Sequence, residues 1–161
     1  MNFQLLHDLL PATQRRVQEN TAAEVNAQNR RQADSHVARY RPEDREAIAH
    51  RIGELEREWD IERTLEANAA VVVLITLALG LIHDSKWFAL TGVAAAFLLQ
   101  HALQGWCPPV PIFRRRGVRT EAEIFEEITA LRVLRGDLQP TSSPGEAVAQ
   151  VRALHLAAEG K

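Results

Sequence analysis

Between Ala67 and Phe113 the only charged residues lie in one short polar break, Asp84-Ser85-Lys86. ANAAVVVLITLALGLIH precedes the break and WFALTGVAAAFLLQHALQGWCPPVPIF follows it. At the helical rise, Ala67 to His83 spans about 26 Å and Trp87 to Gly105 about 28 Å, close to a hydrocarbon core of roughly 30 Å. The reading is an all-α chain built on a transmembrane helical hairpin of two spans (67–105), with the lipid bilayer as its first partner. A soluble helical regulator is the alternative. It would have to surround two helices that are apolar on nearly every face, and the flanking arms carry too little apolar surface for that. The global averages hide this division: 46% hydrophobic, 25% charged and a net charge of -2 average a charge-free middle against two charged arms. Near-neutral charge gives no reason to expect nucleic acid. Residues 1–10 lack a basic leader and a long apolar run, so targeting is assigned to the hairpin.

The arms read as helices that are amphipathic or polar. Phe3, Leu6 and Leu10 suggest a short amphipathic turn or a loose terminus, and the rest of segment 1–41 is polar, with Val17, Val25 and Val37 too sparse for a packed stripe. Segment 42–66 opens on Pro42-Glu43-Asp44. It then places Ile48, Ile52, Leu55 and Trp59 on one seam, followed by a densely charged surface. Pro108, Pro109 and Pro111 end the second span, so an extended segment is expected across 106–119. Thr120 and Glu123 form a capping box for a helix over 120–136 with Ile124, Ile128 and Leu131 on its stripe. That stripe suits either a membrane surface or the seam of segment 42–66. Residues 137–161 read as a linker and a tail with one short helix, bearing Val148, Val151, Leu154 and His155 on a face.

Basic residues orient the hairpin. Arg45, Arg51, Arg57 and Arg63 precede it, Arg114, Arg115, Arg116 and Arg119 follow it, and only Lys86 lies in the connection. The positive-inside bias puts both termini in the cytoplasm. Trp87 and Trp106 suit the two interfaces, and Arg114, Arg115 and Arg116 suit anionic headgroups. Within the spans, Asn68, Thr76 and Gly80 share one stripe, and Gly92, Ala96, Gln100 and Gln104 another. Small residues and amides spaced by four favour helix packing, which makes a homodimer or higher oligomer the expectation.

The chemistry is sparse. Gln100, His101, Gln104 and Cys107 are the concentrated polar group in or beside the membrane. Polar residues in spans are costly and frequently functional, so a ligand, proton or ion role stands beside plain interhelical hydrogen bonding. Cys107, the single cysteine, is either a thiol activated by Arg114–Arg116 or a small apolar residue at the helix end. Phosphate-binding glycine loops, HExxH, paired cysteines and nucleophile elbows are missing from the sequence. Catalysis, cofactor and metal are therefore not expected.

Glu62-Arg63-Thr64-Leu65, the two short spans, Trp87, Gly92 and Gly105-Trp106-Cys107-Pro108 together resemble the YgaP-like inner-membrane family. QHALQGWCPPVPIFRRRGVRTEAEI and LRVLRGD resemble a long-armed subgroup of it. The resemblance covers Glu54 to Leu138. It implies a two-helix protein of the bacterial inner membrane that dimerises, with Cys107 as the family's membrane-exit cysteine. It implies no sulfurtransferase activity, because the rhodanese domain of the family's namesake has no counterpart in these residues. Two functions follow as expectations: a non-enzymatic module that dimerises or recruits partners through its arms, or a small transport or thiol-linked accessory working through Gln100, His101, Gln104 and Cys107.

Overall fold

A computed structural model describes residues 11–141 and 143–159, without the side chains of 155–159. The turns expected around Phe3, Leu6 and Leu10 lie outside these residues, as does the His155 side chain. The described residues form eight helices and no strand: α1 (Arg16–Glu19), α2 (Ala23–Val37), α3 (Arg45–Leu55), α4 (Ile61–Ile82), α5 (Trp87–Gln104), α6 (Val110–Arg115), α7 (Glu121–Arg135) and α8 (Pro144–Glu159). They fall into two compact units. One comprises the described residues to Arg30 and Trp59–Glu123, the other Arg31–Glu58 and the described residues from Ile124 onward.

The first unit contains the hairpin. α4 begins at Ile61, six residues before the charge-free run, because the Asp60 carboxylate caps it by accepting from the Arg63 N–H at 2.8 Å. Both α4 and α5 are long and apolar enough to cross a membrane. In their most apolar windows only 11% and 6% of residues are buried, whereas the core helix of a soluble protein would be mostly covered. The two helices meet at Thr76, which is buried and shares a 2.8 Å hydroxyl contact with Thr91. They also meet at Gly80, where an added Cβ would lie 2.5 Å from the Phe88 ring. The turn between them is held by Asp84, whose carboxylate accepts from the Lys86 N–H at 2.8 Å.

Beyond the second span, the extended segment expected across 106–119 contains the short helix α6. Pro109 is its N-cap and Pro111 lies in its first turn, where a missing N–H breaks no helical bond. The prolines therefore start a helix here as well as ending one. Val17, Ile61, Leu65, Cys107 and Val110 form one buried cluster, with Phe113 and Val118 against it. The polar N-terminal segment is thus packed through Val17 after all.

In the second unit, Ile48, Ile52 and Leu55 pack on Ile124, Ile128 and Leu131. The α7 stripe takes the helical partner rather than a membrane surface. The seam of α3 stops at Leu55 because the helix ends there. Trp59, beyond it, is half-exposed and lies under the Arg63 guanidinium at 4.5 Å. Pro42 precedes α3 by three residues and does not enter its first turn. Buried Glu127 accepts from Arg51 at 3.0 Å, which satisfies its charge among apolar neighbours.

Candidate functional site

The open end of the hairpin, opposite the Asp84–Lys86 turn, is where its chemistry gathers. Antiparallel helices bring the first turn of α4 beside the last turn of α5. A carboxylate suits the first position and a basic ring the second, each facing the favourable pole of its own helix. Glu62 and His101 occupy them, with His101 Nε2 2.7 Å from Glu62 Oε2. Arg16 of α1 reaches the other carboxylate oxygen at 3.0 Å. Asn20 ties the same segment down by donating to the Gln104 carbonyl at 2.8 Å. Gly105 closes α5 in the left-handed region at φ 74, where a Cβ would stand 2.5 Å from the Arg16 backbone. Glycine here permits both the turn and the close approach of α1.

A carboxylate only accepts hydrogen bonds, so Glu62 fixes Nε2 as the donor. His101 is 2% exposed, and its second ring nitrogen, Nδ1, has no hydrogen-bond partner among the described residues. The ring lines a groove of about 300 Å³ between α4 and α5, together with Val72, Ala94, Phe97 and Cys107. Of the four polar residues picked out in the sequence, the structure therefore brings His101 and Cys107 together. Gln100 is half-buried and Gln104 exposed, and neither lines the groove. The partners that sequence reasoning missed are Arg16, Glu62 and Asn20. Glu62 carried a readable signal: it lies two residues past the Asp60 cap, in register with His101 once the hairpin is antiparallel.

The three consecutive arginines are not equivalent. Arg115 and Arg116 are exposed, but Arg114 is fully buried, so it does not meet headgroups. Its guanidinium donates to both oxygens of Glu123 at 2.6 and 2.7 Å, to the Val118 carbonyl at 3.0 Å and to Asn26 Oδ1 at 3.0 Å. The capping box forms around the same carboxylate, which accepts from the Thr120 N–H at 2.9 Å. Burial alone would raise the Glu123 pKa, but the bonds from Arg114 and Thr120 outweigh it and hold the carboxyl below the usual range.

Cys107 is buried, and that burial pushes its thiol pKa up, with the Glu62 charge adding in the same direction. The activation expected from Arg114–Arg116 is not found: burial dominates at the thiol, and the Arg114 guanidinium is paired with Glu123. Alkylation by a maleimide is therefore expected to be slow in the folded protein and to accelerate by orders of magnitude on denaturation. Equal rates in both states would contradict this placement.

The packing residues divide likewise. Thr76 and Gly80 are used within the hairpin, while Asn68 is exposed and donates to the Thr64 carbonyl at 2.7 Å. Gly92 and Ala96 are exposed, and a Cβ at Gly92 would meet nothing within 4 Å. Trp87 and Trp106 stand at opposite ends of α5.

Residues 60–123 match the family described as inner membrane protein YgaP-like, transmembrane domain. The match runs from the Asp60 cap to the Arg114 partner Glu123, and it takes in both spans and the proline exit. No curated protein and no solved structure matches the chain. The membrane-spanning part of the chain is thus similar to the YgaP-like transmembrane domain, and this match together with the two apolar helices makes the protein an inner membrane protein.

Proposed function

We propose that this inner membrane protein, founded on a YgaP-like transmembrane domain, is a non-enzymatic module that self-associates through α5 and recruits partners through its arms. The observation that carries the reading is the outward stripe of Gly92 and Ala96, exposed and uncovered by α4. Small residues four apart allow the backbone of a second helix to approach closely. In the second unit, Phe125 and Val133 are 55% and 58% exposed on α7, apolar area of the kind that partner proteins cover. The basic flanks, set against a connection with Lys86 alone, support a topology with both termini in the cytoplasm.

The test is disulfide crosslinking in native membranes, with Cys107→Ala as background. Ala96→Cys is expected to give a covalent dimer, and Leu81→Cys, on the exposed side of α4, is expected to give none. Monomer alone at high protein density for Ala96→Cys would count against self-association through this stripe.

A further inference from the structure

We infer that α6, the short helix after the second span, is an interfacial anchor whose exposed face docks on anionic phospholipid at the open end of the hairpin. The segment divides by burial. Val110 and Arg114 are buried and Phe113 is half-buried, whereas Pro108, Pro109, Ile112, Arg115 and Arg116 are exposed. The helical repeat accounts for the division. It puts Pro109, Ile112 and Arg116 on one side, three and four residues apart, with Arg115 beside them. The outward face is therefore one stripe, apolar at its start and doubly basic at its end. Ile112, in its middle, is 53% exposed.

Packing sets the depth of α6. Val110 shares a buried cluster with Ile61 and Leu65, from the first two turns of α4, and the charge-free run begins just beyond them at Ala67. α6 is thus held within about 9 Å of where the hydrocarbon begins, at the level of the headgroups. Pro108 and Pro109 also border the groove between the spans, so the apolar start of the stripe continues the surface that the hairpin turns to lipid. An interfacial helix gains by burying such a face at the acyl boundary and by attraction to anionic lipid. Charge selects that lipid. Arg114 is held by Glu123, but Arg115 and Arg116 have no ion pair among the described residues. Arg63 of α4 is a third exposed cation at this end, set against the exposed carboxylate of Glu66, so the balance is positive. A guanidinium matches a phosphate with two parallel hydrogen bonds. This anchoring is independent of self-association through Gly92 and Ala96.

The test puts photoreactive benzoylphenylalanine in place of Ile112 in the whole protein, in nanodiscs of equal parts phosphatidylglycerol and phosphatidylcholine. Mass spectrometry then identifies what is captured. Phosphatidylglycerol is expected to exceed phosphatidylcholine by about fivefold for each arginine engaged, the preference that one basic side chain gives at an anionic surface. Arg115→Gln/Arg116→Gln, at two exposed positions, should bring the two lipids to parity. The same photoreactive residue in place of Leu74, exposed on α4, should capture both lipids alike and shows that the hairpin is inserted. Equal capture at position 112 with both arginines present overturns the inference, and so does a preference that survives their replacement. Capture of a second copy of the chain, or of nothing, at position 112 while position 74 captures lipid puts α6 outside the bilayer and also overturns it.

Discussion

Replacing Glu123 with glutamine is expected to destabilise the hairpin unit by about 3–5 kcal/mol, the usual cost of stranding one partner of a buried ion pair. Arg114 is fully buried and the Glu123 side chain is 12% exposed, so solvent compensates little. The double variant Arg114→Met/Glu123→Leu should lie closer to wild type than Glu123→Gln, since it leaves no buried charge unpaired. Loss of helical circular dichroism on thermal unfolding in detergent measures both. The same pair sets an acid limit. The folded carboxyl titrates below its unfolded value, so its contribution is complete above about pH 4.3, the ordinary glutamate value. It is lost as pH falls through the lower folded value. Glu123→Gln should flatten this part of the stability profile. A steep acid loss that persists in the variant would assign it to other groups.

Gly105→Ala is the second large effect, and Gly136→Ala is its control. Both glycines are left-handed, at φ 74 and φ 83. An L side chain in that region costs roughly 1–2 kcal/mol. Gly136 has open space around the position of a Cβ, so that is its whole expected cost. At Gly105 the new methyl would lie 2.5 Å from the carbonyl carbon of Arg16, and backbone cannot yield as a flexible side chain does. α1 must move, taking with it the Arg16–Glu62 pair and the bond from Asn20 to Gln104. Tryptic cleavage at Arg15 and Arg16 should therefore be accelerated by Gly105→Ala and unchanged by Gly136→Ala. Equal cleavage in the two variants would mean that α1 does not depend on this contact.

The hairpin was legible because its signal is compositional: a run without charge, a polar break and a second run leave few alternatives. The capping box at Thr120 and the separate apolar stripes of α3 and α7 were legible for a related reason, since each is a fixed local spacing, whereas the pairing of the two stripes was left open against a membrane surface and is decided by the structure. The docking of α1 and α2 was not. Arg16, Asn20 and Asn26 hold the N-terminal segment by side-chain bonds to Glu62, to the Gln104 carbonyl and to Arg114. Contacts between residues so distant in sequence leave no periodicity. Arg114 was misread because three adjacent arginines look alike. Helical geometry turns them to different faces, and only Arg114 reaches Glu123. The proline exit hid α6 because proline both ends one helix and begins another.

Topology tests the account most directly, because the two spans, the basic flanks and the open-end site all depend on it. Ser85→Cys, Gln14→Cys and Gln139→Cys, each with Cys107→Ala, would be exposed to a membrane-impermeant maleimide in intact spheroplasts and again after lysis. The account predicts that residue 85 is labelled in intact spheroplasts and that residues 14 and 139 are labelled only after lysis. Labelling of residue 14 or 139 in intact spheroplasts, or protection of residue 85 until lysis, would contradict a hairpin that crosses the membrane twice with both arms inside.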